Sequence, residues 1–469
     1  MSGIFGTLNV ANKGMNAQQV ALNTASHNIS NSKTEGYSRQ RVDLKADLAY
    51  TYGGVGQLGT GVKISGITRI IDDYVTRQIR QEGSSLNRYT TKSETLEQME
   101  LIYNEPSDTG LNFNIAEMFE SWQDLAKNPE SLTSKTIVVE KSKTFADTLN
   151  QITSQLDSLG KETDKQIDKQ YTDMVALAEN IDTLNGQIFN IAIKGLSPND
   201  LLDQRDKLLK DLSAITDFSS EFDKYGRVEI TIGIDKSDPS NMLVGFEANQ
   251  GLKGLVPGSN EAETLANKVA YVKTLSEESK SGALQGYKDA LVLIKGDDGS
   301  GGQLAQMRDY AVKIKDAFNA AHKPEEPSEE SHDFFRIVDN KLVVNPDLIS
   351  DNEKVLAGAN YGSAPGDNTS AKKIALIRTL PVIGGETIEG AYNGIITRVG
   401  ISKQHSDNMT ANQEVLVNQL QMRRESTSGV SIDEEFSNVI QFQKAFEANA
   451  RVIAVLTDML DVLINRTGV

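Results

Sequence analysis

The chain has no cysteine among its 469 residues, which excludes disulfide bonds and thiolate metal sites. It has no run approaching the roughly 20 apolar residues a membrane-crossing helix needs. Residues 1–30 lack the charged start and continuous apolar core of a secretory signal peptide, so taken alone the amino terminus points to the cytoplasm. The net charge of −17 argues against nucleic acid as a partner, because phosphates demand a concentrated basic surface. Acid is missing from one place. Residues 1–34 hold Lys13 and Lys33 but no carboxylate before Glu35, in a chain with 65 acids. That gap suggests a segment with a task of its own.

Proline is absent from both ends. All ten prolines lie between Pro106 and Pro381, so residues 1–105 and 382–469 are free to form long helices, which an interior proline would break. In the C-terminal stretch, Ile432, Phe436, Val439, Phe446, Ala450, Ile453, Leu460 and Ile464 fall on one helical stripe. Phe442, Ala445, Val452, Leu456, Met459 and Leu463 make a second. Two stripes on one helix predict neighbours on two sides. Ser431, with Glu434 three residues on, is a capping box for its start. At the other end Ile4, Leu8, Ala11, Met15, Leu22, Ala25 and Ile29 repeat at steps of four and three once Gln18 is counted in its place, while Asn9, Asn12, Asn16, Gln19 and Asn23 give that helix an amide face. The two terminal helices are expected to pack together and against other subunits; an intramolecular pair closing a single domain is the alternative.

Between Pro129 and Pro198 the pattern is helical again. Phe145, Leu149, Ile152, Leu156 and Leu159 form one stripe, and Met174, Leu177, Ile181, Leu184, Ile188 and Ile191 another, with a bend or a change of partner expected at Gly160 and the polar stretch 161–165. A further helix is expected from Pro198 to about Leu212 with Ser197 as its cap. The period then changes: Val228, Ile230, Ile232 and Ile234 alternate with polar residues as in a half-buried strand. Met242–Val244 and 269–272 are expected strands, with a turn at Asp238, Pro239 and Ser240. Helix returns at 303–321, followed by an acidic loop at 323–331, strands around 334–344, and a last helical run from near Ala391. The fold class is therefore mainly α with a β insert: a long helical stalk, terminal coiled-coil helices packed together and a small inserted β-rich domain. The expected divisions are 1–37 with 431–469 for terminal assembly, 38–218 with 284–430 for the stalk, and 219–283 for the insert.

No motif assembles chemistry. The glycines at 54, 56 and 59 match the dinucleotide fingerprint in letter, but the strand before and helix after that it requires are not indicated. His27, His322, His332 and His405 lack metal-ligand spacing, and His322 and His332 are expected to be solvated on the acidic loop. Asp297 and Asp298 lack the spaced acids of a calcium loop. No catalytic, cofactor-binding or metal residue is assigned.

Three sets of residues are more specific than periodicity. The segment Ala21, Leu22, Asn23, Thr24, Ala25, Ser26, His27, Asn28, Ile29, Ser30, Asn31, Ser32 resembles the amide-rich signature of the flagellar rod, hook and hook-associated axial proteins. The run from Thr34 through Gly36, Tyr37, Ser38, Arg39, Gln40, Arg41 and Val42 resembles the hook-associated members, although the family usually has proline where Glu35 stands. Similar matches are Gly59–Val62 with Ile67, Thr68 and Arg69; Asn199 to Asp206; Asp316 to His322; Pro365 to Asn368; Ser428 to Glu435; and Gln441 to Phe446.

The resemblance implies a non-enzymatic structural protein, exported without cleavage through the flagellar type III apparatus and located outside the cell at the hook–filament junction. It implies terminal helices that are disordered in the free subunit and fold on assembly. Implied partners are further copies of this chain in a ring or helical array, hook protein, hook-associated protein 3 and an export chaperone at the C-terminal helix, with no membrane insertion and no cofactor. The expected assembly residues are Ile4, Leu8, Ala11, Met15, Leu22, Ala25, Ile29, Ile432, Phe436, Val439, Phe442, Phe446, Ile453, Leu456, Leu460 and Leu463. A hook or distal rod protein, and a surface adhesin with a coiled-coil stalk, are the other readings.

Overall fold

The computed structural model describes residues 3–54, 56–233, 241–246, 250–255, 257–297, 299, 301–326 and 332–466. Ile234, the turn at Asp238 to Ser240 and most of the acidic loop lie outside them. In chain order the elements are α1 (Ile4–Ser30), β1 (Gln40–Ala46), β2 (Tyr50–Tyr52), β3 (Gly56–Leu58), β4 (Val62–Arg69), α2 (Asp73–Tyr103), α3 (Leu111–Lys127), α4 (Leu132–Ala192) and α5 (Asn199–Ile215). Then come β5 (Ser219–Phe222), β6 (Val228–Thr231), β7 (Met242–Val244), α6 (Glu261–Leu275), α7 (Ala283–Lys295) and α8 (Gln303–His322). The last are β8 (Phe335–Val338), β9 (Lys341–Val344), α9 (Pro346–Ser350), α10 (Thr369–Ile377), α11 (Ile388–Ser428) and α12 (Ile432–Asp461). The fold is mainly α with small antiparallel sheets, as the sequence indicates.

The chain divides into two compact units, residues 1–85, 171–282 and 412–469 in the first and 86–170 with 283–411 in the second. In the first unit α1 packs along α12 and over the antiparallel pair β1–β4. The three strands β5, β6 and β7 form a sheet in that order. Asn185 of α4 secures its middle strand, accepting from the Val228 N–H at 2.9 Å and donating to the Val228 carbonyl at 2.7 Å.

The second unit holds the large apolar core. Trp122, Phe119, Phe145, Phe318, Phe334 and Phe335 are all fully buried there, and ring pairs such as Trp122–Phe334 at 5.1 Å meet edge to face, the arrangement aromatic quadrupoles favour. Asn319 fixes the strand entry by accepting from the N–H groups of Phe334 and Phe335, each at 2.9 Å.

Three expectations are corrected and one, at Gly160, is made specific. Residues 269–272 lie inside α6, not in a strand: a four-residue apolar run does not separate the two periods, and Asn260 caps the helix by accepting from the Glu263 N–H at 2.9 Å. At Gly160, where a bend or a change of partner is expected, α4 is not interrupted and runs on for 61 residues in all. A Cβ there would stand 2.8 Å from Lys295 Cε and 3.2 Å from Ile294 Cγ2, so the glycine serves close approach of α7. Pro198 is itself the N-cap of α5 and no side chain caps that end. His322 is not solvated but fully buried. Its Nε2 accepts from the Leu356 N–H at 2.9 Å and its Nδ1–H donates to the His332 carbonyl at 2.9 Å. Burial pushes its pKa down to about 4, against the His332 carbonyl bond, which favours the protonated ring.

Candidate assembly interface

The terminal helices meet through small residues. On α1 the buried positions Ala11, Ala17, Ala21 and Ala25 follow helical spacing, and Gly14 lies on the same side. A Cβ at Gly14 would reach 2.8 Å from Asn449 Oδ1 of α12, so glycine lets the Asn449 amide lie against the α1 backbone. Asn449 is itself oriented by donating to the Ala445 carbonyl at 2.8 Å. Asn9, Asn12, Asn16, Gln19 and Asn23 all face outward.

Of the expected assembly residues on α1, Ala11 and Ala25 are buried, and Ile4, Leu8, Met15, Leu22 and Ile29 are half-buried. On α12, Leu456 is buried, Val439, Phe442, Phe446, Ile453 and Leu460 are half-buried, and Ile432, Phe436 and Leu463 are exposed. The inward seam thus draws on both stripes read from the sequence. The outward face adds Ile440, Val455 and Val462, which neither stripe contains. It has two apolar patches. One is Ile432, Phe436 (54% exposed) and Ile440 (58% exposed); the other is Val452, Val455 (53% exposed), Met459 (51% exposed), Val462 and Leu463. Between them sit Lys444, Glu447 and Arg451, with Lys444 and Glu447 paired at 3.1 Å. The second patch borders an open groove of about 460 Å³ that also includes Ile4 of α1.

Where the pair joins the rest of its unit, sequence-distant polar residues converge. Asn28 is almost fully buried; it donates to the Gln40 carbonyl at 2.9 Å, accepts from the Gln40 N–H at 3.0 Å and accepts from the Tyr37 hydroxyl at 2.7 Å. Burial and the carboxylates of Asp200, Asp203 and Glu435 push the Tyr37 hydroxyl pKa upward, so it stays a donor. Gln40 in turn donates to Asp200 at 2.8 Å. Arg69, at the end of β4, donates to Asp203 at 2.7 Å and Asp206 at 2.9 Å, and the Ser38 N–H donates to Asp203 at 3.1 Å. Arg205 stacks 4.6 Å from the Phe222 ring centroid and donates to Asp206 at 2.6 Å.

Arg39 closes the knot. Its guanidinium donates to Glu435 at 2.7 Å and Glu434 at 2.9 Å, and its N–H donates to the Ser428 carbonyl at 3.0 Å. Ser431 caps α12 by accepting from the Glu434 N–H at 3.4 Å, and the three acids of the first turn complement the helix dipole. Glu35 bonds Lys210 at 3.1 Å and lies 3.6 Å from Lys207, so the departure from proline is taken up by a surface ion pair.

None of these knot residues was assigned to the assembly site from sequence. Their signal was the dense polar motifs themselves, which interrupt otherwise apolar periodicity. Among the described residues no group of three or more histidines and carboxylates could hold a metal, and no helix is long and apolar enough to cross a membrane.

Paired terminal helices, tied by a polar knot to the rest of their unit and carrying exposed apolar patches, make a surface suited to assembly. A family model described as the flagellar hook-associated protein FlgK helical domain matches residues 96–335, slightly over half of the chain. Models for the flagella basal body rod protein and the flagellar basal body rod FlgEFG protein C-terminal match residues 8–37 and 424–466. Flagellar hook-associated protein 1 of Bacillus subtilis strain 168 is 29% identical over 504 aligned positions, covering 100% of this chain and 99% of that protein. The Escherichia coli K12 protein of the same name is 25% identical, covering 98% and 99%. The flagellar hook junction protein FlgK from Burkholderia pseudomallei shares the fold, with a TM-score of 0.57 at 12% identity over 75% of this chain and 100% of that one. This chain belongs to the flagellar hook-associated protein FlgK family. It is a structural, non-enzymatic component of the flagellum.

Proposed function

We propose that this chain is the adaptor joining hook to filament, exported unfolded and polymerised through its terminal helices. The observation that carries this reading is the outward face of α12 and of the turn that follows it: six exposed apolar residues on the helix, with Val462 and Leu463 just beyond its end, in two patches that the chain's own α1 leaves exposed. Exposed apolar surface of this kind marks a contact with another protein, and on a paired terminal helix that contact is another axial subunit. Residues 1–37 and 431–469 are the assembly domain in this account, 38–218 with 284–430 the stalk, and 219–283 the outer insert.

Small residues line the α1 side of the seam, and most large apolar residues of α12 stay half-exposed, so the α1–α12 pair gains further stability when the outer patches are covered. Folding on assembly then costs ordering entropy at the moment of incorporation, offset by burial of both faces of α12. It also keeps free subunits from polymerising early. The partners are further copies of this chain in a ring or helical array, hook protein on one side and hook-associated protein 3 on the other. Before export a chaperone covers the apolar C-terminal helix, and the site of action is extracellular. Electron microscopy of cells lacking the gene, with flagellin assayed in the medium, tests this. Bare hooks with flagellin lost to the medium are expected; intact filaments would overturn the proposal.

A further inference from the structure

The first unit contains a cavity of about 190 Å³ lined by Arg77, Arg80, Gln81 and Ser84 of α2 on one side and by Ser213 and residues 217–220 on the other. The four α2 residues stand at i, i+3, i+4 and i+7, one face of the helix. Two of them are buried without partners. Arg80 is 8% exposed, and among the described residues its guanidinium has neither a hydrogen bond nor an ion pair. Ser84 is 2% exposed and its hydroxyl has no hydrogen-bond partner.

Two acids act on Arg80 from a distance, Asp206 and Asp73, and neither forms an ion pair with it among the described residues. Asp206 acts on Arg80 electrostatically, but its two oxygens are taken by Arg205 and Arg69. Asp217 accepts from Ser279 at 2.8 Å and from the Lys280 N–H at 2.9 Å. Burial opposes the charge on Arg80, and Arg205 and Arg77 add like charge. Arg77 is exposed and likewise has no partner among the described residues.

A buried guanidinium with no directly bonded counter-charge is costly for a protein to carry. Water could hydrogen-bond it in a cavity this size but would leave its charge in place. An oxyanion supplies both. We infer that this cavity is an oxyanion receptor, in which Arg80 and Arg77 bind the charge through N–H donors and Ser84, with Ser219 and Ser220 across from it, supplies hydroxyl donors. The oxyanion chemistry has two sources, a small anion in solution or an acidic side chain of a neighbouring copy. Guanidinium forks suit either one.

The test uses the full chain, melted in rising inorganic phosphate against chloride at constant ionic strength. For a free anion, the melting temperature rises saturably, by about 2 °C or more at tenfold the apparent Kd. R77Q and S84A each weaken that apparent Kd about tenfold, the loss of one charge-assisted contact or of one buried hydroxyl. R80M removes the response and melts higher than the parent without phosphate, because it deletes an uncompensated charge. For a side chain of a second copy, phosphate instead competes: sedimentation at low salt shows self-association that phosphate or R77Q abolishes. R77Q changes an exposed residue, so it keeps the fold if R80M does not. A melt unaffected by phosphate together with no association difference between parent and R77Q overturns the inference. So does a phosphate response of equal size in parent and R77Q.

Discussion

Asn28 shows how one amide can organise a junction. Its side chain matches the N–H and carbonyl of Gln40 like a missing strand residue while also accepting from Tyr37. Asn28→Ala leaves those buried groups unpaired and is expected to cost about 2–3 kcal/mol, read as a lower urea midpoint of the first unit. His322 gives a pH signature. Its pKa falls from 6.5 to about 4 on folding, so between those values the unfolded chain binds more protons than the native one. Stability is then full above pH 6.5 and is lost as pH falls toward 4, by at most about 3 kcal/mol. Thermal melts of the parent across pH 4 to 7 are expected to show this slope, and His322→Gln is expected to flatten it.

Among the elements, helices were legible wherever a stripe ran for several turns. α8 and α12 start where the sequence indicates, Gln303 and Ile432. The hairpins of β1 to β4 were hard to read because two of the strands are only three residues long and lie among glycines. The polar knot was illegible for a different reason. Arg39 and Glu435 are 396 residues apart, and no period connects residues that only tertiary folding brings together. The α1–α12 seam can be tested through the chain's lack of cysteine. Cysteines introduced at Gly14 and Asn449 would be the only thiols present, at a crossing close enough for a disulfide. On oxidation they are expected to cross-link readily in assembled material and slowly in free subunits. Equal rates in both would contradict folding on assembly. On the outer face, Val455→Asp with Met459→Asp changes half-exposed side chains at the rim of the groove beside Ile4 and is expected to shift the free subunit's stability by no more than about 1 kcal/mol per site, measured by urea unfolding.

For the whole molecule, the division of labour lies in where the core is. The large aromatic cluster draws all its residues from 96–159 and 294–399, so the body does not depend on the termini for its main apolar burial. A fragment of residues 36–430 is therefore expected to remain a soluble monomer with a cooperative melt, although it lacks Asn28 and Glu435 and so loses order near Arg39 and Gln40. A broad, non-cooperative melt would show that the body needs the terminal pair. The ends are left free for a separate task, covering the outer patches of α12 with neighbouring subunits.

The most direct test of that task is to restore the gene to cells lacking it, as parent or as the Val455→Asp, Met459→Asp double variant. Filaments per hook are counted, and the variant is assayed in the medium. The account expects the parent to restore filaments and the variant to be exported yet leave hooks bare. Full filaments with the exported variant would contradict it, because the exposed face of α12 would then have no part in assembly.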